Sequence, residues 1–261
     1  MVNQTPQPAL EIHNLTVSYR DKPAIWNIDF TIPEGVLGGI IGPNGAGKST
    51  VLKAAMGLVP VSGGHVRIFG NPLSEVRQRV SYVPQRESVD WDFPASAIDV
   101  VLMGRYGKRS LWSRLQRSDH DIAMDCLRKV QLQDFAHRQI AQLSGGQQQR
   151  VFIARALAQE ADIYLMDEPF AGIDAATENA ILELLSNMRN EGKTILVVHH
   201  DLQSAYEYFD WIVMLNTRLV ASGPKDTVFN AQLLGEAYGA KLTMLSRMAN
   251  LLKQREFPVQ E

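Results

Sequence analysis

One loop of nine residues limits what this chain can become more than any other stretch: Gly42, Pro43, Asn44, Gly45, Ala46, Gly47, Lys48, Ser49 and Thr50. It follows the apolar run of residues 36–41 and leads into a helical pattern over residues 51–58, so the local order is strand, glycine loop, helix. Glycines at 42, 45 and 47 let the backbone bend tightly and turn several N–H groups onto one anion at a helix N-terminus. The spacing is GxxxxGK followed by Ser, and polyphosphate is the natural guest. Lys48 reaches the β and γ phosphates as a point charge, and the Ser49 hydroxyl is placed to ligate a Mg²⁺ ion bridging two phosphate oxygens. A ligand-free glycine turn is the bland alternative, but the strand before and the helix after are the context that nucleotide binding requires.

With 261 residues and 45% hydrophobic content, the chain can bury the core of one large α/β domain or of two packed lobes. Its longest apolar runs, residues 163–166 and 195–198, fall far short of the roughly 20 residues that span a bilayer. Residues 1–8 carry no basic residue ahead of an apolar segment, so no secretory signal is expected and the cytosol is the expected compartment. A single cysteine, Cys126, excludes an internal disulfide, and its apolar helical setting favours packing over reactivity. The net charge of −2 offers nucleic acid no general attraction.

Residues 10–19 and 24–32 alternate imperfectly around a turn at residues 21–23, which predicts an opening antiparallel hairpin. Tyr19 ends its first strand, and the local pattern leaves base stacking and plain edge-strand packing equally open. Residues 62–64 and 70–72 read as turns flanking a strand at 65–69. A short strand at 80–83 is cut off by Pro84, which leaves Gln85 at its C-terminal exit, where α/β sheets place ligands. From about residue 86 to 160 helical periods take over, as an insertion. Within it Arg105, Lys108, Arg109, Arg114 and Arg117 stand with no acid between them, read either as a solvated face or as a contact with a membrane-embedded partner or anionic headgroups.

Leu143, Ser144, Gly145, Gly146 and Gln147 precede a helix over residues 148–159, with Ser144 as N-cap. This second glycine-lined helix start is either a capped turn or a second anion site. Residues 163–166 form a buried strand that delivers Asp167 and Glu168 to its end before Pro169. Two adjacent carboxylates there need a cation or proton, so Asp167 is assigned to Mg²⁺ and Glu168 to the attacking water as general base. Asp174 precedes a helix from about residue 177, where an acid also suits the helix start. The strand at 194–198 ends in His199, His200 and Asp201, read as a γ-phosphate sensor in preference to a zinc site, since no third ligand stands at spacing. A hairpin at 211–221 is closed by Gly223 and Pro224. The catalytic domain is expected over residues 1–238. In the tail of residues 239–261, Leu242, Leu245, Met248, Leu251 and Leu252 predict a short amphipathic helix.

Taken together, GPNGAGKST at 42–50, Gln85, LSGGQ at 143–147, IYLMDEP at 163–169 and His200 before Asp201 resemble, in order and over residues 10–235, the ATP-binding cassette ATPases. The resemblance implies a P-loop, RecA-like core with an N-terminal antiparallel β subdomain and an inserted α-helical subdomain. It implies that Lys48 and Ser49 hold phosphates and Mg²⁺, that Asp167 supports the metal through water, that Glu168 polarises the hydrolytic water and that His200 contacts the γ-phosphate. Tyr19 matches the aromatic that stacks on adenine, Gln85 the glutamine that joins the metal and water network to the channel-facing lobe, and Asp174 an aspartate between two cassettes. Ser144, Gly145, Gly146 and Gln147 would act on the nucleotide of a second copy, so two chains sandwich two ATP molecules. His199 stands where threonine is usual, and FAGID replaces a commoner pattern around Asp174. Further implied are a separate permease dimer, an extracytoplasmic substrate-binding protein and a peripheral place on the cytoplasmic face of the inner membrane. SVDWDFP at 88–94, DVVLMGRYG at 99–107 and FAGIDAATE at 170–178 are similar to motor subunits of importers for manganese, zinc or chelated iron, with siderophore or cobalamin importers as the nearest alternative. A non-transport member acting on DNA or ribosomes would bring tandem cassettes, a coiled-coil insertion or a basic face. A P-loop kinase or GTPase would lack LSGGQ.

Overall fold

The computed structural model describes residues 8–20, 22–107 and 114–239. In chain order the strands are β1 (Pro8–Tyr19), β2 (Lys22–Pro33), β3 (Leu37–Ile41), β4 (Gly63–Ile68), β5 (Val80–Val83), β6 (Ile163–Asp167), β7 (Thr194–Val198), β8 (Trp211–Asn216) and β9 (Arg218–Pro224). The helices are α1 (Lys48–Ala55), α2 (Leu73–Val76), α3 (Ala97–Tyr106), α4 (Arg117–Lys129), α5 (Gly145–Ala158), α6 (Ala175–Asn190), α7 (Leu202–Tyr208), α8 (Lys225–Val228) and α9 (Ala231–Tyr238). The described residues fall into two compact units, one within residues 1–73 and 198–261 and one within residues 74–197.

In the first unit, β1 pairs antiparallel with β2 and with β4, with Leu10 opposite both Ile32 and Ile68. The imperfect alternation of the sequence has a local cause. Leu10 and Ile12 point inward, and the next inward pair is Leu15 and Val17, one residue out of phase. The register shifts between Ile12 and Leu15, and Asn14 there takes φ of 48°. A bulge with an asparagine in the left-handed region absorbs the extra residue and keeps both apolar pairs on the buried face. Asn27, at φ of 47°, stands between buried Ile25 and Ile28 on β2. Next to this sheet, β3 is buried at all five positions and runs parallel to β8, which pairs antiparallel with β9. Two expected turns differ from the structure. Gly63 and Gly64 begin β4, and Gly223 and Pro224 end β9, with Pro224 opposite Trp211 at the end of the ladder, where the missing donor of proline is tolerated.

In the second unit, β5 runs parallel to β6, Val83 opposite Met166, and β6 has β7 on its other side. Helices α3, α4 and α5 pack on one another. The backbones of α3 and α5 come close at Gly104, where a Cβ would collide with the Arg155 carbonyl oxygen. Arg105 departs from both sequence readings of the basic stretch. It is 8% exposed, its Nε donates to Asp119 Oδ1 at 3.1 Å, and its Nη1 donates to Glu160 Oε2 at 2.7 Å. The acids that neutralise it come from α4 and from just after α5, so the sequence between the basic residues could not reveal them. Arg114 and Arg117 are exposed, while Lys108, Arg109 and the expected tail helix lie outside the described residues. Cys126 is buried on α4, and burial pushes its thiol up to about 11, which fits packing and leaves little thiolate. No helix among the described residues is long and apolar enough to cross a membrane.

Candidate active site

The glycine loop lies between β3 and α1. Gly45 and Gly47 take φ of 80° and 89°, and Gly47 is the N-cap of α1. The need for glycine is tertiary as well as local, because a Cβ on Gly47 would collide with Ile25 Cγ2 on β2, and one on Gly42 with the Leu215 carbonyl oxygen. Ala46 N donates to Pro43 O at 3.1 Å, and Ala46 O accepts from Thr217 N at 3.0 Å, which ties the loop to the turn between β8 and β9. Lys48 is 6% exposed, and its Nζ donates to the carbonyls of Gly42 and Pro43 at 2.9 and 3.0 Å. An ammonium on a glycine-rich loop, at a helix start with no acid in its first turn, fits a polyphosphate. Asn44 is exposed at the tip of the loop, Ser49 is half-buried and Thr50 is buried behind it.

Tyr19 ends β1 opposite Lys22 and is 49% exposed, so its ring is available for stacking. At the end of β7 the two histidines part company. His199 is 2% exposed, its N–H donates to Ile40 O at 3.0 Å, and its ring meets Phe209 edge-on at 5.7 Å. Burial, with help from neighbouring His200, depresses its imidazole to about 4. His200 is exposed, so of the pair it is the one whose ring can meet a ligand. Asp201 caps α7 by accepting from Ser204 N at 2.7 Å. Burial works against its carboxylate, but Ser204 and the histidines hold it below the usual carboxylate range.

This arrangement gives stability a pH dependence. His199 prefers its neutral form in the folded protein, so the unfolded chain binds the extra proton between pH 6.5 and about 4. Stability is therefore expected to fall as pH drops through that window and to level off, for this group, below it. The difference of 6.5 and 4, at 1.36 kcal/mol for each pH unit, amounts to about 3 kcal/mol. Denaturant midpoints for His199→Thr and the unaltered protein at pH 7.5 and pH 4.5 check this: the variant should lose less stability on acidification, and equal losses would refute it.

The other site residues belong to the second unit. Asp167 is fully buried at the end of β6, and Glu168 follows it at φ of 49°. For a non-glycine residue this left-handed conformation costs on the order of 1–3 kcal/mol and persists where the surroundings hold it. The strain turns the carboxylate off the strand direction, where Gln85 Nε2 donates to Glu168 Oε2 at 3.1 Å. Sequence pattern placed both residues at strand ends; only the fold makes them partners. Among the described residues no three His, Cys, Asp or Glu side chains converge as a metal site.

Ser144 caps α5 as expected. Its Oγ accepts from Gln147 N at 3.3 Å, while Gln147 Oε1 accepts from Ser144 N at 2.9 Å, a reciprocal capping box. A Cβ on Gly146 would stand 2.7 Å from Gly172 O, so the loop leading to Asp174 lies against the helix start. Asp174 caps α6 by accepting from Thr177 N at 3.0 Å, and that bond together with the Thr177 hydroxyl holds its carboxyl low. Arg86, which the motifs did not single out, bridges from Gln85 to this helix start: its Nη2 donates to Gln148 Oε1 at 3.0 Å.

Comparison with known proteins agrees with this arrangement. The sequence model of the ABC transporter family matches residues 25–171. The manganese transport system ATP-binding protein MntB of Bacillus subtilis is 57% identical over 90% of this chain and 94% of its own length. The zinc transport system ATP-binding protein TroB of Treponema pallidum is 53% identical over 90% of this chain and 88% of its own. Among solved structures, an ATP-binding cassette in a dimeric post-hydrolysis state with ADP and Pi superposes with a TM-score of 0.74 at 29% identity, over 83% of this chain and 98% of that one. The strand, glycine loop and helix, the Asp167–Glu168 strand end and the capped helix start at Ser144 thus stand in a chain that is similar to these proteins over most of its length. The chain belongs to the ATP-binding cassette transporter family and is an ATP hydrolase of that family.

Proposed function

We propose that this chain is the motor subunit of an importer that carries manganese or zinc through a separate permease dimer, fed by an extracytoplasmic binding protein and held at the cytoplasmic face of the membrane. The observation that carries the cargo is the identity to manganese and zinc transport subunits, above 50% over nine-tenths of the chain. In this reading the backbone N–H groups of the glycine loop and Lys48 bind the β and γ phosphates, and Ser49, with Asp167 acting through water, would hold Mg²⁺. Mg²⁺, when bound, neutralises developing charge on the phosphates. Glu168 takes the proton of the attacking water, Gln85 orients that carboxylate, and His200 contacts the γ-phosphate. Ser144, Gly145, Gly146 and Gln147 face the nucleotide of a second copy. Because phosphoryl transfer needs positioning and charge stabilisation more than covalent help, all of these roles but the proton transfer to Glu168 are geometric and electrostatic.

Deleting the gene and following radiolabelled Mn²⁺ and Zn²⁺ in metal-depleted medium tests the cargo. Uptake of one of them is expected to collapse. Unchanged uptake of both, in a strain with no second importer for either, would remove the cargo and leave the ATPase untouched. For the base-stacking role, Tyr19→Ala is expected to weaken ATP binding by about fivefold, the worth of an aromatic stack of roughly 1 kcal/mol, with turnover at saturation nearly unchanged. A titration with fluorescent ATP would expose a wrong assignment if affinity did not move.

A further inference from the structure

The catalytic edge and the glycine-lined helix start of the second unit are joined through one side chain. Arg86 directly follows Gln85, the residue that holds Glu168. Its Nη2 donates to Gln148 Oε1, and Gln148 Nε2 donates onward to Ile140 O at 3.1 Å, so the first turn of α5 is pinned from both sides of one amide. The guanidinium packs on Gly145: a Cβ there would stand 3.0 Å from both its central carbon and Nε. The same group lies 5.9 Å from the centre of the Trp91 ring, and Trp91 Nε1 returns a 3.0 Å hydrogen bond to the Arg86 carbonyl. Trp91 in turn meets Phe152, two turns along α5, edge-on at 4.8 Å. Among the described residues Arg86 Nε is buried with no acceptor, so packing and the Gln148 amide fix this guanidinium, not a carboxylate.

The consequence falls on the start of α5. A helix start leaves its first N–H groups without intrahelical partners. The Gln147 N–H is taken by Ser144 Oγ and the Gln148 N–H by Ser144 O at 2.8 Å, which among the described residues leaves those of Gly145 and Gly146 to meet an anion. Their direction is set by how the first turn of α5 is rotated, and a planar fork seated against Gly145 and bonded to Gln148 fixes that rotation in a way a flexible ammonium would not.

We infer that Arg86 is a positioning residue for the loop of residues 144–147, aiming the N–H groups of Gly145 and Gly146 at the nucleotide held by a second copy of this chain. This rests on the reading of that loop as partner-facing. Arg86 acts across the dimer although its neighbour Gln85 serves the nucleotide of its own chain.

The test separates ATP binding by a monomer from ATP-driven dimer formation. In full-length chains carrying Glu168→Gln, whose amide carbonyl still accepts from Gln85, Arg86→Ala is expected to leave monomer affinity for a fluorescent ATP analogue unchanged. The dimer dissociation constant, from sedimentation with ATP and Mg²⁺, is expected to rise by roughly tenfold or more, the scale of losing a charge-assisted hydrogen bond. Weakened monomer binding, or an unaltered dimer constant, overturns the inference. If Arg86→Ala does not fold, judged by circular dichroism, Arg86→Lys carries the same test and the same two overturning results. Ser144→Arg in the same background is the control: if it dimerises normally, the partner-facing reading of the loop fails, which is a different result from a failure of Arg86.

Discussion

Glu168→Gln is expected to bind ATP as the unaltered chain does and to hydrolyse it roughly 10² to 10⁴ times more slowly, the usual worth of a positioned general base. Glu168 stands just past the end of β6, after a fully buried Asp167, in a strained left-handed conformation, with Gln85 Nε2 on one oxygen. The amide of glutamine keeps the volume and can still accept from Gln85, so nucleotide binding and fold should survive. What disappears is an oxygen able to take a proton. Because hydrolysis then no longer disassembles the nucleotide-bound state, the variant should accumulate as a dimer with ATP and Mg²⁺ in sedimentation. Turnover within a few-fold of normal would show that Glu168 is not the base, since a spectator carboxylate loses far less than roughly 10²-fold on conversion to its amide.

Ser144→Arg is expected to abolish measurable hydrolysis, by roughly 10²-fold or more, while each monomer still binds ATP. Two physical losses coincide at this position. The capping oxygen that accepts from Gln147 N is removed, which alone costs about 1 kcal/mol of helix stability, and a long cation is placed at the mouth of an anion site. Neither touches the loop of residues 42–50, so binding by the chain's own glycine loop should persist. Mixing resolves which nucleotide the loop serves. A heterodimer of Ser144→Arg and Lys48→Ala chains keeps one intact composite site, made of the glycine loop of the first chain and the capped helix of the second. Partial recovery on mixing is the expected result; loss of ATP binding by the Ser144→Arg monomer would mean that the loop serves its own nucleotide.

The local features that carry chemistry were legible in the chain itself, because each is encoded by neighbours along the sequence. The loop at 42–50, the capping of α5 by Ser144 and the delivery of Asp167 and Glu168 by a continuously apolar strand are signalled by residue order and periodicity, although Gly42 and Gly47 also answer contacts with distant residues. The same holds for the long elements, whose apolar faces repeat at strand or helix spacing. Bulged strands were legible only in part, since the phase slips at Asn14 and Asn27 are repaired by what pairs opposite them.

Contacts between residues far apart in sequence were decided by the tertiary structure. No pattern between Arg105 and Arg117 announces that Arg105 is buried against Asp119 and reaches the more exposed Glu160. His199 and His200 read alike as letters, yet Phe209 packs on the first and leaves the second to solvent. Gln85 and Glu168, 83 positions apart, meet because β5 and β6 lie side by side in parallel, which brings their C-terminal exits to one edge. Arg86 matters for the same reason: a guanidinium finds its partners by direction and reach in three dimensions, and sequence distance carries no information about either.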